Sequence, residues 1–93
     1  MYIYLLEVEF RINDAYSLKE KRKIVKSIID YSRNTLKISS AELDYNEKVN
    51  YTSLGFVTIS NDNDKAREIL ERLLDRIYTS YPVEVTKNNI ERI

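Results

Sequence analysis

The eleven residues after Met1 alternate along the chain with a period of two. Even-numbered positions are all apolar or aromatic, namely Tyr4, Leu6, Val8, Phe10 and Ile12. The odd-numbered side begins apolar and becomes charged, with Ile3, Leu5, Glu7, Glu9 and Arg11. Side chains on a strand point alternately to its two faces, so this pattern predicts a long β-strand, Tyr2–Ile12, whose even face lies in a core.

The period then changes to that of a helix. Ser17 and Glu20 have the spacing of a capping box, in which the hydroxyl and the carboxylate accept hydrogen bonds from free backbone amides. Apolar residues recur afterwards at three- and four-residue intervals, which predicts an amphipathic helix from Leu18 to about Leu36. The buried stripe expected for this helix comprises Leu18, Val25, Ile28, Ile29, Ser32 and Leu36, with Ile24 beside it.

The rest of the chain repeats this order of elements. We expect strands at 37–44 and 51–60, a second helix at 64–79 and a short strand at 83–87, with residues 88–93 ambiguous. Two right-handed β-α-β crossovers joined by a hairpin form a four-stranded antiparallel sheet with both helices on one face. The prediction is therefore an α+β, ferredoxin-like βαββαβ sandwich of strand order 4-1-3-2, with residues 1–93 as one domain.

Composition excludes several classes of function. The chain has no His and no Cys, and Gly55 is its only glycine. Disulfides, thiol catalysis, a histidine acid–base group and a glycine-rich phosphate loop are therefore excluded. We expect no catalytic residue, no metal and no cofactor, and hence a protein that is not an enzyme. No apolar run reaches the roughly 20 residues of a membrane span, which favours a soluble, cytoplasmic protein without a membrane partner.

The run Ser17-Leu18-Lys19-Glu20-Lys21-Arg22, directly after a long alternating strand, resembles the signature of the small bacterial YlxP-like family. The similarity continues in order through Lys26-Ser27, Ala41-Glu42-Leu43-Asp44, Leu54-Gly55 and Ser60-Asn61-Asp62. This resemblance implies a ferredoxin-like fold and a gene often found among translation and ribosome-maturation genes. It implies RNA or the ribosome as partner, and it supplies no catalytic residues, because the family has no assigned reaction.

Charge is segregated although the whole chain is neutral. Seven basic and two acidic residues fall between positions 17 and 37, a net charge of +5. The candidate polyanion-binding residues are Lys19, Lys21, Arg22, Lys23, Lys26, Arg33 and Lys37. Five of them form a stripe opposite the apolar face, which could follow a phosphate backbone, whereas Lys21 and Arg22 lie nearer that face. We expect Arg22 to pair with Glu42 or Asp44. The alternative interpretation is a solvated helix back.

A four-stranded sheet with its helices on one side leaves the other face open. Ile3 and Leu5 are expected there, and Leu54 and Phe56 are candidates to join them, which suggests an apolar strip for a homodimer or an unknown protein partner. Scattered surface apolar residues are the alternative. Two carboxylate pairs, Glu7 with Glu9 and Glu42 with Asp44, have the spacing expected of solvent-facing strand residues.

Overall fold

A computed structural model describes all 93 residues. Its elements follow the order β-α-β-β-α-β. They are β1 (Tyr2–Ile12), α1 (Leu18–Asn34), β2 (Ser39–Asp44), β3 (Tyr51–Ser60), α2 (Asn63–Ser80) and β4 (Val83–Arg92). The four strands form one sheet of order β2-β3-β1-β4 in which every neighbouring pair is antiparallel. The predicted α+β fold and strand order are therefore confirmed.

The core lies between the helices and the even face of β1. Side chains at Leu6, Val8 and Phe10 are fully buried, as the alternating pattern predicts. α2 packs over β1, β3 and β4, while α1 lies on the β2 side of the sheet. The buried positions of α2 are Ala66, Leu70, Leu73 and Ile77, with Ile69 and Leu74 half-buried beside them.

Both helices begin at side-chain caps. The hydroxyl of Ser17 accepts a hydrogen bond from the Glu20 amide at 3.2 Å, and the Glu20 carboxylate accepts one from the Tyr16 amide at 3.0 Å. At the start of α2, Asp62 accepts from the amides of Asp64 and Lys65 at 3.0 and 3.1 Å. These contacts satisfy amides that have no partner within the helix, which explains where each helix begins.

Three boundaries differ from the prediction by more than one residue. α1 ends at Asn34 and β2 begins at Ser39, because Lys37 between them has a φ of 59°, in the left-handed region. β4 runs on to Arg92, where the sequence suggested an end near Lys87. The additional residues of β4 pair with β1 through the main chain; Ile90, for example, lies opposite Leu6.

Leu54 and Phe56 of β3 lie on the core face of the sheet, whereas the sequence analysis proposed them for the open face. In the β1–β3 register, Leu6 lies opposite Phe56 and Val8 opposite Leu54, so both β3 residues share the core face of β1. Both are completely buried. Their assignment to an exposed interface is therefore wrong, because antiparallel partners on adjacent strands point to the same side of the sheet.

Candidate polyanion-binding helix and open sheet face

The outer side of α1 carries an exposed row of basic side chains. Lys19, Lys23, Lys26 and Arg33 are exposed on the helix, and Lys37 is exposed just beyond its end. We call these five residues the basic stripe. Fourteen residues separate Lys19 from Arg33, so at about 1.5 Å per residue the helical part spans about 21 Å. The stripe lies opposite the buried positions Val25 and Ile28.

Two members of the basic stripe have partners within the chain. Lys26 Nζ lies 2.7 Å from the carboxylate of Asp30, one turn further along α1. Arg33 donates a hydrogen bond of 3.0 Å from Nη2 to the main-chain carbonyl of Ser40 on β2. Lys19, Lys23 and Lys37 take part in no ion pair, so their ammonium groups remain available to an external anion.

Lys21 does not belong to this surface. Its side chain is only 1% exposed, and its ammonium lies 3.3 Å from the Glu42 carboxylate. It also donates to the main-chain carbonyl of Tyr45, while Thr52 donates a 2.5 Å hydrogen bond to Glu42. The prediction that Lys21 binds phosphate is therefore wrong, because a buried ammonium that is already paired cannot reach a polyanion.

Arg22 is exposed and forms no ion pair. The expected partnership of Arg22 with Glu42 or Asp44 is wrong, because the preceding residue, Lys21, occupies that position. Arg22 therefore remains beside the basic stripe as a sixth exposed cation. Six of the seven predicted phosphate-binding residues are therefore exposed, and Lys21 is the exception.

One end of the open sheet face is apolar. Ile3 lies opposite Ile59 and Leu5 opposite Val57 in the β1–β3 register, all on the side away from the helices. We call these four residues the apolar strip. Val57 is 37% and Ile59 62% exposed, and Leu43, 52% exposed, packs over Gly55 next to them. Reasoning from sequence missed Val57 and Ile59, because only the register with β1 decides which side of β3 lies on the open face.

The other end of the same face is a polar cavity of about 280 Å³. Its lining contains no apolar residue and comprises Glu7, Glu9, Ser53, Lys87, Asn88 and Asn89. The strand register explains this grouping, because Glu7 lies opposite Asn89 and Glu9 lies opposite both Ser53 and Lys87. A sequence reading of β1 identifies the two glutamates, but the partners from β3 and β4 require the register.

Two tyrosines pack against each other near Glu9, one of the carboxylates of the polar cavity. The rings of Tyr45 and Tyr51 meet edge to face with centroids 4.9 Å apart. The negative charge of Glu9 is the main cause that raises the pKa of Tyr45 above its usual value, and burial and the charge of Asp44 act in the same direction. Tyr45 itself has a φ of 65°, in the left-handed region.

Two further features bear on what the domain can bind. Nowhere do three or more carboxylates converge in the way that ligands of a metal ion do. Neither helix combines the length and the apolar character needed to cross a membrane. The features that remain for recognition are the basic stripe, the apolar strip and the polar cavity.

Comparison with known proteins places this arrangement in a family. Residues 3–90 match a family model described as "Protein of unknown function (DUF503)". The chain is also 33% identical over 85 residues to the "Uncharacterized protein YlxP" of Bacillus subtilis (strain 168). That alignment covers 91% of this chain and 92% of the relative. Both matches extend over nearly the whole chain and confirm the predicted resemblance to YlxP-like proteins, and the chain belongs to the DUF503 family.

Proposed function

We propose that this protein is a non-enzymatic, cytoplasmic factor that binds the phosphate backbone of RNA, and of ribosomal RNA in particular, through the outer side of α1. The observation that carries the proposal is the exposure of the whole basic stripe, four of its members on the outer side of α1 and Lys37 just beyond the end of that helix. The implied link of YlxP-like genes to translation is what favours RNA over other polyanions.

The physical basis is the release of counterions. Each phosphate that is neutralised by a Lys or Arg side chain releases a condensed cation. The free energy of this release supplies most of the affinity of binding that does not depend on the RNA sequence. Lys19, Lys23 and Lys26 lie on adjacent turns of α1. Lys19 and Lys23 are free to meet successive phosphates, whereas Lys26 must exchange its ion pair with Asp30 for one with a phosphate. The three lysines act as point charges toward phosphate, and Arg33, the one guanidinium of the stripe, already donates to the Ser40 carbonyl, so we expect binding that is strong at low salt and independent of base sequence.

The test is a Lys19→Gln, Lys23→Gln, Lys26→Gln variant titrated against ribosomal RNA and heparin at two salt concentrations. We expect weaker binding and a slope of log affinity against log salt that is reduced by about 0.7–0.9 per lost contact. The matched control removes three exposed cations from α2 instead, with Lys65→Gln, Arg67→Gln and Arg72→Gln. Equal effects of the two triple variants, or none from the first, would contradict the proposal.

A second candidate function is self-association through the apolar strip. Its four side chains lie on the two inner strands, where they form a continuous patch. A two-fold axis through this patch would bring the same four side chains of two copies together, so a single surface suffices for a homodimer. Burying them would stabilise the dimer by about 25 cal/mol per Å² of apolar surface.

The mass in solution tests this second candidate. Light scattering should give twice the chain mass for the wild type and the monomer mass for an Ile3→Lys, Ile59→Lys variant. Tyr78→Lys serves as the control, because Tyr78 is a similarly exposed side chain (52%) on α2 and its replacement should leave the dimer intact. A wild-type protein that stays monomeric at high concentration excludes this homodimer.

A further inference from the structure

The geometry points to the polar cavity on the open sheet face as a binding site for an organic cation, an alkyl-guanidinium or alkyl-ammonium group. The site is distinct from the basic stripe, which lies on the opposite side of the domain and attracts ligands of the opposite charge. A failure of the basic stripe to bind RNA would therefore not affect the proposal of a cation site in the polar cavity.

The charge of the cavity sets the sign of its ligand. Glu7 is exposed and takes part in none of the ion pairs of the domain. Glu9 has a carboxylate that is only 18% exposed, with one ionic partner, Lys87, at 3.7 Å. Two carboxylates on one strand face, about 7 Å apart along the strand, are thus left with little internal compensation.

Uncharged hydrogen-bonding groups complete the lining. Ser53 is 8% exposed and forms none of the side-chain hydrogen bonds of the domain, although its position opposite Glu9 directs its hydroxyl into the cavity. Asn89 lies opposite Glu7 and adds an amide oxygen as a further acceptor. The Ser53 hydroxyl has no partner within the chain and is accessible from the cavity, so it can accept a hydrogen bond from a ligand, and a guanidinium supplies several donors in one plane.

Lys87 shows how the site would be occupied. Its side chain is 80% exposed, and 3.7 Å is too long for a hydrogen bond to Glu9, so its ammonium is a loosely held internal competitor. An incoming guanidinium can form bidentate, charge-assisted hydrogen bonds with a carboxylate and displace it. The neighbouring side chain of Leu5, on the same strand face as Glu7, offers apolar contact to an alkyl stem.

The experiment is a titration of isotope-labelled protein with butylguanidinium, followed by the amide signals of the cavity residues. We expect saturable shifts at Glu7, Glu9, Ser53 and Asn89, and about tenfold weaker binding when Glu7→Gln and Glu9→Gln are combined. Lys87→Gln should tighten binding about two- to threefold, because it removes the competitor. Glu71→Gln, an exposed carboxylate change on α2, is the matched control.

A second arm separates the two sources of such a group. Saturation by butylguanidinium itself indicates a free small-molecule ligand, whereas saturation only by a peptide with Leu beside Arg indicates a side chain of a protein partner. Either result supports the site. Absence of saturable shifts with both probes, or an affinity that is unchanged in the Glu7→Gln, Glu9→Gln variant, would overturn the proposal.

Discussion

The ammonium of Lys21 on α1 lies 3.3 Å from the carboxylate of Glu42 on β2 and is almost completely buried. The same ammonium holds the carbonyl of Tyr45, so one side chain ties the first helix to the end of β2. An ion pair of an exposed lysine contributes little to folding stability. Removing one member of a buried ion pair, by contrast, leaves the charge of the other member uncompensated, which destabilises the fold.

We therefore expect Lys21→Met to lower the free energy of unfolding by about 3 kcal/mol, as measured by urea denaturation. Lys23→Met, two residues away and exposed, should change it by less than about 0.5 kcal/mol. A double-mutant cycle with Glu42→Gln should show strong coupling. Equal stability of the Lys21 and Lys23 variants would show that the pair has no structural role.

The one carboxylate that interrupts the basic stripe gives a second prediction. Asp30→Asn releases Lys26 from its 2.7 Å ion pair and removes a repulsive charge, so RNA affinity at low salt should rise about threefold. Glu71→Gln breaks a similar pair with Arg67 on α2 and should leave RNA binding unchanged. Both changes should alter stability by about 0.5 kcal/mol or less, so an affinity gain shared by both variants contradicts the role of the stripe.

The two faces of β3 predict opposite outcomes for neighbouring substitutions. Phe56→Ala should destabilise the fold by about 3–5 kcal/mol, because it empties a fully buried site against Leu6. Ile59→Ala, at a position that is 62% exposed, should cost at most about 1 kcal/mol. Chemical denaturation at low protein concentration makes the comparison without any contribution from self-association. A similar loss at both positions would contradict the assigned register.

The phenol of Tyr45 reports on the charge of the polar cavity. Its raised pKa means that the folded state favours the neutral phenol. The resulting stabilisation is complete below the pKa of the unfolded chain, near 10, and is lost as the pH rises through the folded-state pKa. Glu9→Gln should lower the pKa of Tyr45. The pKa is measured by following phenolate absorbance against pH and subtracting the curve of a Tyr45→Phe variant, which leaves the contribution of Tyr45. An unchanged pKa would mean that Glu9 is not the main source of the shift.

Residues of β1 and β3 show what the sequence can and cannot predict. The alternation of β1 identifies its buried face without ambiguity, because charged residues occupy only one side. β3 carries apolar residues on both sides, Leu54 and Phe56 on one and Val57 and Ile59 on the other. Only the pairing register with β1 decides between them, and register is a property of two strands.

The candidate sites follow the same rule. The basic stripe is encoded within one helix, so local spacing predicts it almost completely. Lys21 is the exception, since its burial depends on Glu42, 21 positions away in the chain. The polar cavity combines β1, β3 and β4, and none of these segments indicates it alone.

The central place of β1 has a consequence for synthesis of the chain. Of the four strands this one is synthesised first, but it pairs on one side with β3 and on the other with β4, the strand synthesised last. Until β4 is available, β1 is therefore a sheet edge, with unpaired amides and carbonyls beside Val8 and Leu6. A nascent or truncated chain that lacks β4 offers that edge to other strands, so the sheet is completed only when β4 can pair with β1.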